Sequence, residues 1–132
     1  MWRILAPAEW PQPKGYVDGV AAKGTLIAVA GQVGWDEQHC LAGPGVSEQA
    51  AQALRNVCRV VAEAGGKPEH IVRLTWFLTS KDAYVAERKE LGLAYRSVMG
   101  KHYPAMTAVQ VVALMVKDAL VEIEALAVIP DA

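Results

Sequence analysis

The sequence predicts an α+β domain, with two helices packed on one face of a mostly antiparallel sheet. Apolar residues recur every three or four positions in two stretches, over 47–64 and 80–99. Strand-length apolar segments fill most of the rest, in the order strand, strand, helix, strand, helix, strand, strand. Glycine, proline and polar clusters separate these pieces. At 132 residues the chain can bury a real core. It reads as a single domain over 1–132, with residues 1–14 forming an extended arm.

That arm holds Trp2, Pro7, Trp10, Pro11 and Pro13. The prolines oppose a helix. A short strand over 3–5 precedes the extended part, and the two tryptophans are expected to cover apolar surface. Residues 16–22 and 25–30 read as strands joined by a Lys23-Gly24 hairpin turn. Leu26, Ala28 and Ala30 alternate with Ile27 and Val29, so the second strand is apolar on both faces and suits a central position. Gly31 follows at its end, in a turn or a bulge, where a ligand or another chain could approach the backbone closely.

Residues 35–46 form a polar loop. Asp36, Glu37, His39 and Cys40 cluster there, but no second Cys/His pair accompanies them, and no metal site is assigned. The first helix follows, capped by Ser47 with Glu48 in its first turn. Ala50, Leu54, Val57, Val61 and Ala64 make its apolar stripe, and Gly65-Gly66 ends it. Cys58 reads as a small core residue.

After a turn over 68–70, residues 71–78 are β-branched and aromatic, a strand. Ser80 caps the second helix, expected to run to about Met99. Its face is Tyr84, Arg88, Leu91, Tyr95 and Val98. His102 lies in the loop that follows. The last two strands, on either side of Val116-Lys117-Asp118, are expected to form a hairpin. In the final strand Glu122 and Glu124 share a face with Leu126 and Val128. A carboxylate on a half-buried face is costly unless solvated, paired or hydrogen-bonded. The Glu122 end therefore lines a wet cleft or is simply exposed.

The bulk composition narrows the possible functions. Hydrophobic residues make up 53% and charged residues 20%, with a net charge of −1 and scattered Lys and Arg. No basic footprint for nucleic acid results. No apolar run is long enough to cross a membrane, and the amino terminus is not read as a signal peptide. Free thiols at Cys40 and Cys58 and a cytoplasmic location are expected. Strands apolar on both sides need cover on the face away from the helices, and a second copy of the chain is the simplest cover.

Tyr-Pro-Ala-Met-Thr over 103–107 and Val-Glu-Ile-Glu-Ala-Leu-Ala-Val over 121–128 resemble the carboxy-terminal signature of the Rid (YjgF, endoribonuclease L-PSP) family. Gly15-Tyr16, Ala-Gly-Gln-Val over 30–33 and Gln-Ala-Leu-Arg-Asn over 52–56 fall in the expected order, so the resemblance spans about residues 14–130. It implies a chorismate mutase-like fold, a homotrimer with a central barrel and a cleft at each subunit interface.

It further implies deamination by water addition to an imine formed from an enamine. Carried over by position, Glu122 handles the water, while Tyr16, Gly31, Met106 and Ala108 contact substrate. No cofactor is implied. Met106 stands where the deaminating members have the arginine that binds the substrate carboxylate. Methionine cannot donate a hydrogen bond, and losing such an anchor costs on the order of 2–5 kcal/mol of carboxylate binding. The expected function is therefore imine or enamine hydrolysis on a substrate without the usual carboxylate anchor. The alternative is a non-catalytic trimer that binds a small metabolite in the same cleft, and a remote one is RNA cleavage. The partners expected are a small molecule and other copies of the chain, with neither nucleic acid nor membrane.

Overall fold

The computed structural model describes residues 2–132. The elements are β1 (Trp2–Leu5), β2 (Gly19–Ala22), β3 (Thr25–Val33), α1 (Val46–Glu63), a 3-10 turn (Pro68–His70), β4 (Ile71–Leu78), α2 (Lys81–Ala86), α3 (Arg88–Met99), β5 (Ala105–Gln110) and β6 (Val121–Ile129). The α+β class is as expected, but the pairing differs from the expected one in two places. β2 does not form a hairpin with β3. It pairs antiparallel with β1 in a separate two-stranded sheet. Nor do β5 and β6 form a hairpin. The main sheet runs β3-β6-β4-β5, with β6 antiparallel to both neighbours and β5 parallel to β4 at the edge. Local sequence shows a polar break at 116–118, but it does not show that the following strand inserts between two others.

The core lies between the sheet and the helices. Ala50, Ala53, Leu54, Val57 and Val61 of α1 are fully buried, as are Ile71, Leu74, Val121, Ile123 and Ala127 of the sheet. Each large aliphatic side chain so buried contributes about 1.5–3 kcal/mol. Gly45, not Ser47, is the residue before α1; the Glu48 carboxylate accepts from its backbone N–H at 3.1 Å. Ser47 instead donates its hydroxyl to Glu87 at 2.8 Å. Ser80 does cap α2, its Oγ accepting from Ala83 N–H at 3.0 Å. The expected second helix is broken at Glu87 into α2 and α3. The apolar spacing continues across that break, so periodicity did not reveal it.

Gly31 lies inside β3, at a bulge rather than in a turn. The register passes from Val29 opposite Ala125 to Gln32 opposite Ile123, so β3 carries one extra residue there, a bulge. The face away from the helices remains open. Leu26 is 64% exposed and Val109 41%.

Candidate functional site

The residues singled out from the sequence fall into two groups on opposite faces of the main sheet. Met106 lies opposite Leu74, which in turn lies opposite Ala125. Leu74 is fully buried under the helices, so Met106 faces the helices too. Glu122 lies opposite Phe77, three residues along β4 from Leu74, and Phe77 lies opposite Val109. Strand side chains alternate, so Glu122 faces the open side.

The helix-side group surrounds a cavity of about 790 Å³. Tyr16, Met106 and Ala108 line it together. Gly15, at φ +79°, turns the chain into Tyr16. Val17 then bridges to Ala105 and donates to the Pro104 carbonyl at 3.2 Å, which ties the arm to the start of β5. Trp76, Tyr95 and Tyr103 complete an aromatic wall. The Tyr95 and Tyr103 rings stack with centroids 5.2 Å apart, and Trp76 lies 6.4 Å from Tyr95. The Tyr95 hydroxyl donates to the His102 carbonyl at 2.6 Å. Burial raises the Tyr95 phenol beyond its ordinary range, and Tyr103 and Cys58 add to the effect, so Tyr95 stays a neutral donor.

Lys14, Arg88 and Arg96 also line this cavity. Arg88 belongs to the three-to-four spacing that also holds Tyr84, Leu91 and Tyr95. A charged residue within an apolar helix face was the available signal.

On the open side, Glu122 rests against Gly31. A Cβ added to Gly31 would overlap the Glu122 carboxylate. Glu122 is half-buried, whereas Glu124, opposite Thr75, is exposed. Neither Gly31 nor Glu122 touches the large cavity of the same chain.

The other candidates have local structural roles. The Asp36 carboxylate accepts from the backbone N–H groups of Gln38 and Cys40, and His39 stacks on Trp35 at 3.8 Å. His102 contacts the Ile71 carbonyl through Nε2 at 2.7 Å and lies beside Trp2. Trp10 is 57% exposed and borders a smaller cavity of about 280 Å³ that shares only Tyr16 with the large one. No helix among the described residues is long and apolar enough to cross a membrane.

Residues 8–129 match the family model described as endoribonuclease L-PSP. The chain belongs to that family, the Rid family. It is 37% identical over 131 residues to a RutC family protein from Synechocystis, covering 97% of each chain. It is 34% identical to a 2-iminobutanoate/2-iminopropanoate deaminase from Salmonella typhimurium, over 97% of this chain and 98% of the other. Among solved structures, the Rid-family protein YyfB from Yersinia pestis superposes with a TM-score of 0.83 at 27% identity, covering 97% of this chain and 98% of that one.

Proposed function

We propose that this Rid protein hydrolyses an imine or enamine in a cleft completed only where two copies meet. One copy supplies Tyr16, Met106 and Ala108, and its neighbour supplies Gly31 and Glu122. The observation that carries this reading is the placement of Glu122. It is a half-buried carboxylate on the open sheet face, where its neighbour Glu124 is exposed, and it is seated on the one bulged glycine of β3. A homotrimer whose open faces line a central barrel would cover Leu26 and Val109 and bring the two half-sites together. The relatives named as deaminases support the reaction class.

In this mechanism Glu122 takes a proton from water as the water oxygen bonds to the imine carbon, and passes it to the imine nitrogen to give the carbinolamine. The carbinolamine hydroxyl then gives its proton, again by way of Glu122, to the nitrogen as the C–N bond breaks, leaving ammonia and a carbonyl product. Met106 packs partly against the core and cannot hold a carboxylate by hydrogen bonds. That same observation favours the second reading, a cleft that captures a small metabolite without chemistry.

The deciding experiment compares ammonia release from freshly generated 2-aminoacrylate and 2-iminobutanoate by wild type and Glu122→Gln. Turnover by wild type that Glu122→Gln abolishes, with the assembly intact, supports hydrolysis. Equal rates for the two proteins would sink it and leave the binding reading.

A further inference from the structure

The large cavity has charge of a single sign. Lys14, Arg88 and Arg96 line it, and no Asp or Glu does. This is not the chain's general balance, since the net charge is −1. Nor are these arginines committed elsewhere. Among the described residues the only ion pair joins Arg59 to Glu37, at 3.9 Å on the far side of α1.

Arg96 is placed by Gly92, one helical turn earlier on α3. A Cβ at Gly92 would lie 3.4 Å from Arg96 Nη1 and 3.8 Å from Nη2. The guanidinium is therefore folded back over the glycine, along the cavity wall. Arg88 lies one turn before Gly92, so two guanidinium groups flank a gap with no side chain. Opposite them are Met106 and Trp76 of the sheet and Tyr103, whose ring stacks on Tyr95 of α3 itself. The cavity thus sets two guanidinium groups on α3 against an aromatic and apolar lining. In the single chain the cavity holds about 790 Å³, within the range of small-molecule sites.

We propose that Arg96 and Arg88 bind the carboxylate of the substrate, in place of an anchor at position 106. The substrate class would then be 2-imino acids with an aromatic or long apolar side chain. The carboxylate pairs with the α3 guanidiniums, a charge-assisted geometry suited to arginine. The side chain lies on Met106 and the aromatic wall. This inference rests on the reading of the cavity as the ligand site, but it does not depend on Glu122 performing chemistry.

The test is calorimetric binding of phenylpyruvate, the stable keto acid of this class, against phenylacetone, which has the same ring and ketone but no carboxylate. Wild type, Arg96→Ala, Arg88→Ala and Lys89→Ala would be measured as intact assemblies. Lys89 lies on α3 outside the cavity and controls for overall charge. Expected is phenylpyruvate binding that weakens about tenfold or more in Arg96→Ala, less in Arg88→Ala, and not in Lys89→Ala. Phenylacetone affinity should be the same in all four proteins. Equal binding of acid and ketone by wild type, or an Arg88/Arg96 double variant that binds phenylpyruvate as wild type does, would overturn the assignment. The readout needs no turnover, so a failure of imine hydrolysis leaves it standing. Conversely, hydrolysis of small imines without arginine-dependent binding removes this assignment alone.

Discussion

Glu122 and Met106 lie on opposite faces of one sheet: Met106 opposite the buried Leu74, Glu122 opposite Phe77 three residues along β4. No side-chain rotation brings them into one cleft within a chain. Any reaction that uses both must join two copies.

Mixed assemblies can test this directly. Ala108→Trp should fill the helix-side cavity without touching Glu122, and Ala108 is exposed enough for the fold to tolerate it. Glu122→Gln spoils only the other half-site. Each variant alone should be inactive. Co-expressed in equal amounts, they should regain about a quarter of the wild-type rate, because some clefts draw both intact halves. No recovery in verified mixed assemblies would place the whole site within one chain.

Two glycines should respond in opposite ways to the same added methyl. Gly31→Ala would drive a Cβ into the Glu122 carboxylate, so stability and any activity should both fall. Gly92→Ala lies in the interior of α3 and meets only the flexible end of Arg96. It should stabilise the fold by about 0.5–1 kcal/mol through helix propensity. Urea denaturation of both variants checks the contrast.

Gln49 is the buried polar hinge of the fold. It is 1% exposed, donates to the Gly43 carbonyl at 2.8 Å and accepts from Leu120 N–H at 2.8 Å. Gln49→Ala strands both backbone groups and should cost about 2–4 kcal/mol, visible as a lower denaturant midpoint. A loss below about 0.5 kcal/mol would mean that water replaces the side chain.

Stability should fall on the alkaline side. Burial pushes the Cys58 thiol up from 9.0 to about 11. The folded state thus holds a proton that the unfolded state releases first. The contribution is fully present below pH 9 and is lost as pH rises toward 11, and Tyr95 acts in the same direction at higher pH. Cys58→Ala should flatten the pH dependence of the melting temperature between 9 and 11. In Ellman titration at neutral pH, the exposed Cys40 should react well before Cys58.

Much of this was legible in the residues. The β-branched run over 71–78 is β4 to the residue, and the alternation of Val121 and Ile123 with Glu122 and Glu124 assigns the two faces of β6. What remained hidden depends on distant partners. Strand order could not be read, because β6 finds its neighbours across most of the chain. The break at Glu87 is stabilised by Ser47, forty residues away. The resemblance drew attention to Met106, but only the fold brings Lys14, Arg88 and Arg96 into the cavity that Met106 lines.

The edge position of β5 has a dynamic consequence. This strand carries Met106 and Ala108, yet beyond the single bridge from Val17 at its start it is paired along one side only, in parallel with β4. In the isolated chain its opening would expose little of the core beyond Met106, so it should detach at lower free energy than β6 and β4, which are paired on both sides. Amide hydrogen exchange would then find the cavity's own wall among the first segments to breathe. A bound ligand would be felt there first, as slowed exchange over 105–110.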